Sequence, residues 1–240
     1  MIRALLVAAV LLALSACQNG SPRSRPAGKA FGSAITLVSG DKQVAPLGLV
    51  LEQPVVVQVN DEKGTAVAGA LVELDSPDGV NFTPAFGLTG SDGQFTVRAA
   101  LGGTAGHSLM RAMTNDKSGR LVEVRIGEVA LGYQQTLGRE LSDKYCSRCH
   151  DPESTPERVS NHDNLSKPPH AFSDGATYNT IQDANLVAMI AHGGPALGKS
   201  PEMPPYGDTL SKTDVSALAA YIRAVADPPY RPPEVFYANK

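Results

Sequence analysis

The hydrophobic period of this chain changes once, between Leu131 and Tyr133, and that change dictates two unlike cores joined end to end. Before it the period is two. Val55, Val57 and Val59 alternate with Val56, Gln58 and Asn60, and Ala70, Val72 and Leu74 alternate with Glu73 and Asp75. Phe95, Val97 and Ala99, then Val122, Val124 and Ile126, repeat the pattern of half-buried strands. Asp61-Glu62-Lys63-Gly64, Asp78-Gly79, Asp92-Gly93 and Asp116-Lys117-Ser118-Gly119 supply the turns between them. About seven short strands over residues 34–131 predict a β-sandwich. After the change the period is helical. Leu137, Leu141 and Tyr145 make one stripe, and Val215, Leu218, Ala219 and Ile222 another. Ser211 caps a helix expected over Lys212 to Ala226, which Pro228-Pro229 stops, and a shorter helix over Asn185 to Ala191 is expected to end at Gly193-Gly194. The proline-rich tail, 228–240, is expected to be extended and without chemistry.

The N-terminus reads as an export signal rather than as fold. Met1-Ile2-Arg3 precedes an apolar run, Ala4 to Leu14, that is too short to span a bilayer. Leu14-Ser15-Ala16-Cys17 resembles a bacterial lipobox, which implies removal of residues 1–16 and a lipid on Cys17. The same resemblance, with Gln18 after the cysteine, implies sorting to the outer membrane, so the protein is expected to be lipid-anchored there and to face the periplasm or the cell surface. The Ser/Pro/Arg/Gly-rich stretch within 17–33 is expected to be a flexible linker. With 21 basic and 24 acidic residues and no basic cluster, nucleic acid is not an expected partner.

The remaining cysteines lie in Cys146-Ser147-Arg148-Cys149-His150. Cys-x-x-Cys-His is the spacing with which two thiols and one imidazole hold a single covalent haem c, the imidazole being the proximal iron ligand. Cys17 on lipid and Cys146 and Cys149 on haem use every cysteine, so no disulfide is expected. A redox dithiol is the competing reading, but it wants a βαβ setting that this segment lacks. The sixth iron ligand is read as Met203, in the stiff loop Pro201-Glu202-Met203-Pro204-Pro205 ahead of the last helix. His162, His170 and His192 compete for that position without a supporting motif, and His107 is read as a surface or packed residue.

Gly138, Leu141 and Cys146, with Lys167-Pro168-Pro169, Gly193-Gly194-Pro195, Met203-Pro204-Pro205 and Leu218-Ala219-Ala220-Tyr221-Ile222, resemble the single-haem class I cytochrome c domain. The resemblance covers roughly residues 133 to 226 and implies His150 and Met203 as axial ligands. It also implies that Gly138 lets the first helix cross closely over the last, near Tyr221. Asp151 departs from the glycine common there. Gln58 to Ala70, Thr89 to Phe95 and Leu101 to Gly106 resemble a bacterial immunoglobulin-like domain of the invasin and intimin kind. The expected fold is therefore an all-β immunoglobulin-like sandwich, 34–131, followed by an all-α cytochrome c domain, 132–227. The expected function is single-electron carriage between a redox donor and acceptor, without enzymatic turnover. A five-coordinate haem sensor or small-ligand reductase, and an adhesion scaffold with an accessory haem, are the alternatives.

Overall fold

The computed structural model describes residues 25–151, 154, 155 and 158–232. The signal segment, Cys17 and the end of the tail lie outside the described residues. Among the described residues, nine strands form two sheets. One has the order β1 (Ala34–Ser39), β3 (Val55–Asn60), β7 (Gln94–Ala100) and β5 (Asn81–Thr83). The other has the order β2 (Val44–Pro46), β9 (Leu121–Leu131), β8 (Gly106–Asn115), β4 (Leu71–Asp75) and β6 (Phe86–Leu88). Alternation puts Val55, Val57, Val59, Val72, Val97, Met110 and Ile126 into one buried core between the sheets. The sequence pattern misses β2, β5 and β6 because each is only three residues long, too short for a period to register.

The longest hairpin, β8–β9, pairs Gly106 with Ala130 at one end and Asn115 with Leu121 at the other. Its turn is set by Asp116, whose carboxylate accepts from the amides of Ser118 (2.8 Å) and Arg120 (2.9 Å) while Gly119 takes φ +82°. Glu128 points inward from β9 and is 1% exposed. One oxygen accepts from the Gln43 amide, and the other has no partner among the described residues, like the Oγ of Ser108 directly across the ladder. Burial, reinforced by the nearby charge of Asp41, pushes the Glu128 carboxyl up to about 8.

Within the stretch 17–33 expected to be a flexible spacer, described residues make contacts with the sandwich. Arg25 pairs with Glu73, Ala30 bridges to Ala70, and the Gly32 amide donates to the carbonyl of Asn115 (3.3 Å). The physical reason is close approach at glycine: a Cβ on Gly32 would lie 2.1 Å from Val59 Cγ1.

Gly132 alone separates β9 from α1 (Tyr133–Tyr145). Then follow α2 (Ser147–His150), α3 (Gly175–Tyr178), α4 (Asp183–His192) and α5 (Lys212–Val225), with short 3-10 turns at His162–Asn164 and Gly194–Leu197. No helix among the described residues is long and apolar enough to cross a membrane. Ser211 and Asp214 form a full capping box at the start of α5, so the shorter aspartate serves where glutamate is usual. Leu186, Ile190, Leu210, Val215, Leu218 and Ile222 form a second core. The helices sit against the sandwich through α5 on β8 and β9 and α1 on β2 and β9. His107 Nε2 lies 3.0 Å from the Ala226 carbonyl, and the Arg139 guanidinium donates to the carbonyl of Val44 (2.5 Å), so His107 marks the seam between the two cores.

The start of the tail is docked rather than free. Asp227 bridges to Asp174, Asn179 donates to the Pro228 carbonyl (2.8 Å), and Arg223 lies 3.9 Å from the Tyr230 ring centroid.

Two outcomes follow from these contacts. Gly138→Ala places a methyl 2.0 Å from the Ala217 carbonyl oxygen, and is expected to cost about 3 kcal/mol or more of helical-region stability in denaturant unfolding. For Glu128, the folded carboxyl holds a proton that the unfolded one releases above its ordinary value of 4.5, so stability falls as pH rises from there toward about 8. Glu128→Gln is expected to remove this slope, at most about 1.4 kcal/mol per pH unit, and to be the more stable protein at the alkaline end of the window.

Candidate haem site

Cys146 ends α1, and its carbonyl accepts from both Cys149 (3.0 Å) and His150 (2.9 Å), which turns the chain into the single-turn helix α2. This tight turn puts Cys146, Cys149 and His150 on the wall of one cavity of about 660 Å³. Asp151 closes the turn in extended conformation (φ −114°, ψ 117°), so glycine is not required there, and its carboxylate pairs with Arg158 (2.5 Å). Arg158 also donates to the carbonyl of Ser147 (3.1 Å).

α1 reaches the cavity by crossing α5 at the glycine expected to allow it. A Cβ on Gly138 would meet Ala217 O at 2.0 Å and Tyr221 Cβ at 2.7 Å, so only hydrogen fits.

The imidazole of His150 stacks on Phe172 with centroids 4.4 Å apart, and Phe172 meets Tyr178 edge-on at 5.6 Å. The backbone carbonyl of His170 accepts from the Tyr178 hydroxyl (3.1 Å), and that hydroxyl lies 3.5 Å from His150 Nδ1. The phenol stands on the Nδ1 side, so Nε2 is the nitrogen that would take a metal. Burial pulls the His150 pKa down to about 4, so the ring is neutral, the form that ligates iron. Burial likewise pushes the Cys146 thiol up to about 12. Such a thiol is not the low-pKa nucleophile of a redox dithiol.

Met203 lines the same cavity from a separate loop. Its carbonyl accepts from the Gly194 amide (3.1 Å), and further along the loop Tyr206 and Gly207 donate to the carbonyls of Ile190 (3.1 Å) and Ala191 (2.9 Å) at the end of α4. The Tyr206 hydroxyl reaches the Tyr145 carbonyl (2.9 Å), tying the loop to the end of α1. Gly193 turns with φ +80°, and a Cβ on Gly194 would lie 2.0 Å from Ser200 O.

Of the competing histidines only His170 lines the cavity. His162 is turned to Asp163 (2.9 Å) and the Pro169 carbonyl (3.2 Å), and His192 is exposed at the end of α4. Sequence reasoning missed Phe172 and Tyr178, and also Met189 and Arg223. Met189 lines the cavity from α4, a position that in sequence reads as ordinary helix packing. Arg223, 10% exposed, donates from α5 to the carbonyls of Tyr178 (2.6 Å) and Ile181 (2.5 Å) and to Asp183 (2.9 Å). A last-turn arginine carries no sequence signal for this role, since the position favours a cation in any helix.

The cavity volume lies within the roughly 300–1000 Å³ of sites that enclose cofactors. Its lining is mostly apolar or aromatic, with thiols and a neutral imidazole at the spacing of covalent haem. The residues present therefore fit haem c. Residues 134–222 match the family model of cytochrome C oxidase, cbb3-type, subunit III. The C-terminal part of the chain is thus a cytochrome c domain, which supports haem binding and electron transfer with redox partners. The sandwich lies outside this match.

No curated protein matches the chain. Among solved structures it is similar to the D00-D0 domain of Intimin, at 14% identity and TM-score 0.32, over 45% of this chain and 51% of that one. It is also similar to the Yersinia pseudotuberculosis adhesin InvE, at 14% identity and TM-score 0.33, over 41% of this chain and 32% of that one. The D0-D1 domain of Intimin is a further neighbour, at 14% identity and TM-score 0.32, with 42% and 50% covered. The chain spans about half the length of the intimin fragments and about a third of the adhesin.

Arg223→Ala removes hydrogen bonds that fix the α3–α4 connection behind Tyr178. It is expected to lower the stability of the haem-loaded protein by about 2–4 kcal/mol in guanidinium unfolding, with Arg223→Lys recovering only part of the loss.

Proposed function

We propose that this protein is a membrane-tethered c-type cytochrome that passes single electrons through one covalent haem. Cys146 and Cys149 hold the macrocycle, His150 and Met203 ligate the iron, and Cys17 carries the lipid anchor. The observation that carries this reading is that Cys146, Cys149, His150 and Met203 line one cavity.

A bound haem c supplies a one-electron iron couple; the chain supplies ligation, orientation and a dry pocket. The His170 carbonyl and Tyr178 fix the His150 tautomer and ring plane from behind. Stacking on Phe172 limits ring rotation. Pro201, Pro204 and Pro205 stiffen the loop that presents Met203, whose thioether favours the reduced state.

Geometry also favours Met203 over His170. The carbonyl of His170 accepts from the Tyr178 hydroxyl that lies 3.5 Å from His150 Nδ1, so its residue belongs to the His150 side of the site. Its side chain is engaged with Asp174 at 2.8 Å.

In this reading the protein is an electron carrier or the electron-transfer subunit of an oxidoreductase, with a redox protein on either side. Lipid anchoring through Cys17 would hold it at the bacterial outer membrane. The sandwich would serve as a platform that sets how the haem domain stands to its partners.

Optical spectra test the ligation. The oxidised haem-loaded protein is expected to show a methionine-to-ferric charge-transfer band, and the reduced protein to bind carbon monoxide poorly. Met203→Ala is expected to abolish the band and open the iron to carbon monoxide, with Met189→Leu leaving both unchanged. Ready carbon monoxide binding by the unaltered protein would overturn the closed carrier in favour of a five-coordinate sensor or reductase.

A further inference from the structure

The cavity mouth is closed on one side by a contact that the ligand set does not require. Glu202 stands next to Met203, and its carboxylate accepts from the Ser166 amide (3.2 and 3.1 Å to its two oxygens) and from the Ser166 hydroxyl (2.6 Å). Ser200 Oγ adds a longer contact (3.3 Å) and receives the Glu202 amide (3.2 Å). Ser166 belongs to the stretch Leu165–His170, which forms another part of the cavity wall. One carboxylate thus joins two segments of the rim that are 36 residues apart in sequence.

Other bonds hold the Met203 loop to α4, on its far side. The Gly194 amide holds the Met203 carbonyl, and Ile190 and Ala191 hold the loop where it leaves the cavity. If the Glu202 contact opens, the bonds to Gly194, Ile190 and Ala191 remain and only the link to the 165–170 segment is lost. Glu202 and Ser166 are both exposed, so water competes for every one of these hydrogen bonds. Such a contact closes firmly enough to be the resting state and weakly enough to open.

We propose that Glu202 is a positioning residue that latches the Met203 loop to Ser166 and thereby sets how readily small exogenous ligands reach the iron. This rests on the reading of Met203 as the sixth ligand. With the latch closed, the loop would hold the Met203 thioether in place as a ligand. With it open, Met203 would yield that place more readily to a diatomic molecule or imidazole. The latch does not touch the iron, so it governs access and leaves the identity of the ligands unchanged.

The test compares imidazole binding to the ferric protein and carbon monoxide association with the ferrous protein in haem-loaded variants. Glu202→Ala is expected to raise both by about tenfold, as the loss of charge-assisted hydrogen bonds at an exposed site warrants. Ser166→Ala is expected to raise them less, and to add nothing in the Glu202→Ala background, since both remove one contact. Glu202→Gln, which keeps an acceptor, is expected to fall between wild type and Glu202→Ala.

Amide exchange of the haem-loaded protein, read at Ser166 and over residues 200–206, is expected to quicken in Glu202→Ala. Exchange in α1 and α5 is expected to stay unchanged, which a general loss of stability would not allow. Unchanged ligand access in Glu202→Ala, with Met203→Ala open, would overturn the latch while leaving the ligation intact. Additive effects of the two latch substitutions would also overturn it. Unchanged access in Met203→Ala would strike the sixth-ligand assignment itself, and the latch would fall with it.

Discussion

Everything at the haem site depends on two backbones lying almost in contact where α1 crosses α5. At Gly138 the missing side chain is replaced by the Ala217 carbonyl and the Tyr221 side chain. This crossing fixes where α1 ends, hence where Cys146 sits, hence where the turn of α2 delivers Cys149 and His150. The second core, built from Leu186, Ile190, Val215, Leu218 and Ile222, fills in around that junction. A pocket lined by apolar residues would have little value if its ligands could drift. Here His150, the proposed first ligand, is set by helix packing, and the loop bearing Met203 is tied by Tyr206 to the end of α1.

The arrangement separates two tasks. Helices hold the invariant geometry of the thiols and the imidazole, and loops hold everything that faces the mouth. His150 is backed by a carbonyl, a phenol and an aromatic face, each from the 170–178 segment. That segment is in turn held by Arg223 from α5 and by the docked residues 227–230. The proximal side is therefore stiff through several shells of contacts, while the Met203 side meets solvent.

Much of this was legible in the residues. The change of period at Leu131 to Tyr133 located the junction of the two cores, because alternation and a 3.6-residue stripe bury different faces. Cys-x-x-Cys-His marked one wall of the cavity, and the Ser211 cap and the start of α5 were readable from a short side chain three residues ahead of an acid. Other features were not legible, for physical reasons. Three-residue strands carry no period. Gly28 and Gly32 looked like spacer residues, yet the same lack of a side chain lets residues 25–33 lie on the sheet. Met189, Arg223 and the Ser166–Glu202 contact depend on which turns face each other after folding, and sequence separation hides that. Glu128 broke the inward alternation of β9 as a polar residue, but nothing in one sequence shows that its charge is suppressed there.

Gly132 is a joint without a free span. With one residue between β9 and α1, and with His107 and Arg139 bonded across the seam, the sandwich and the helical body meet directly, with no span of linker between them. The cavity mouth has no independent angular search of its own. Whatever grips the sandwich also aims the redox edge, so encounter with a partner becomes a question of the angle at which the entire molecule is presented.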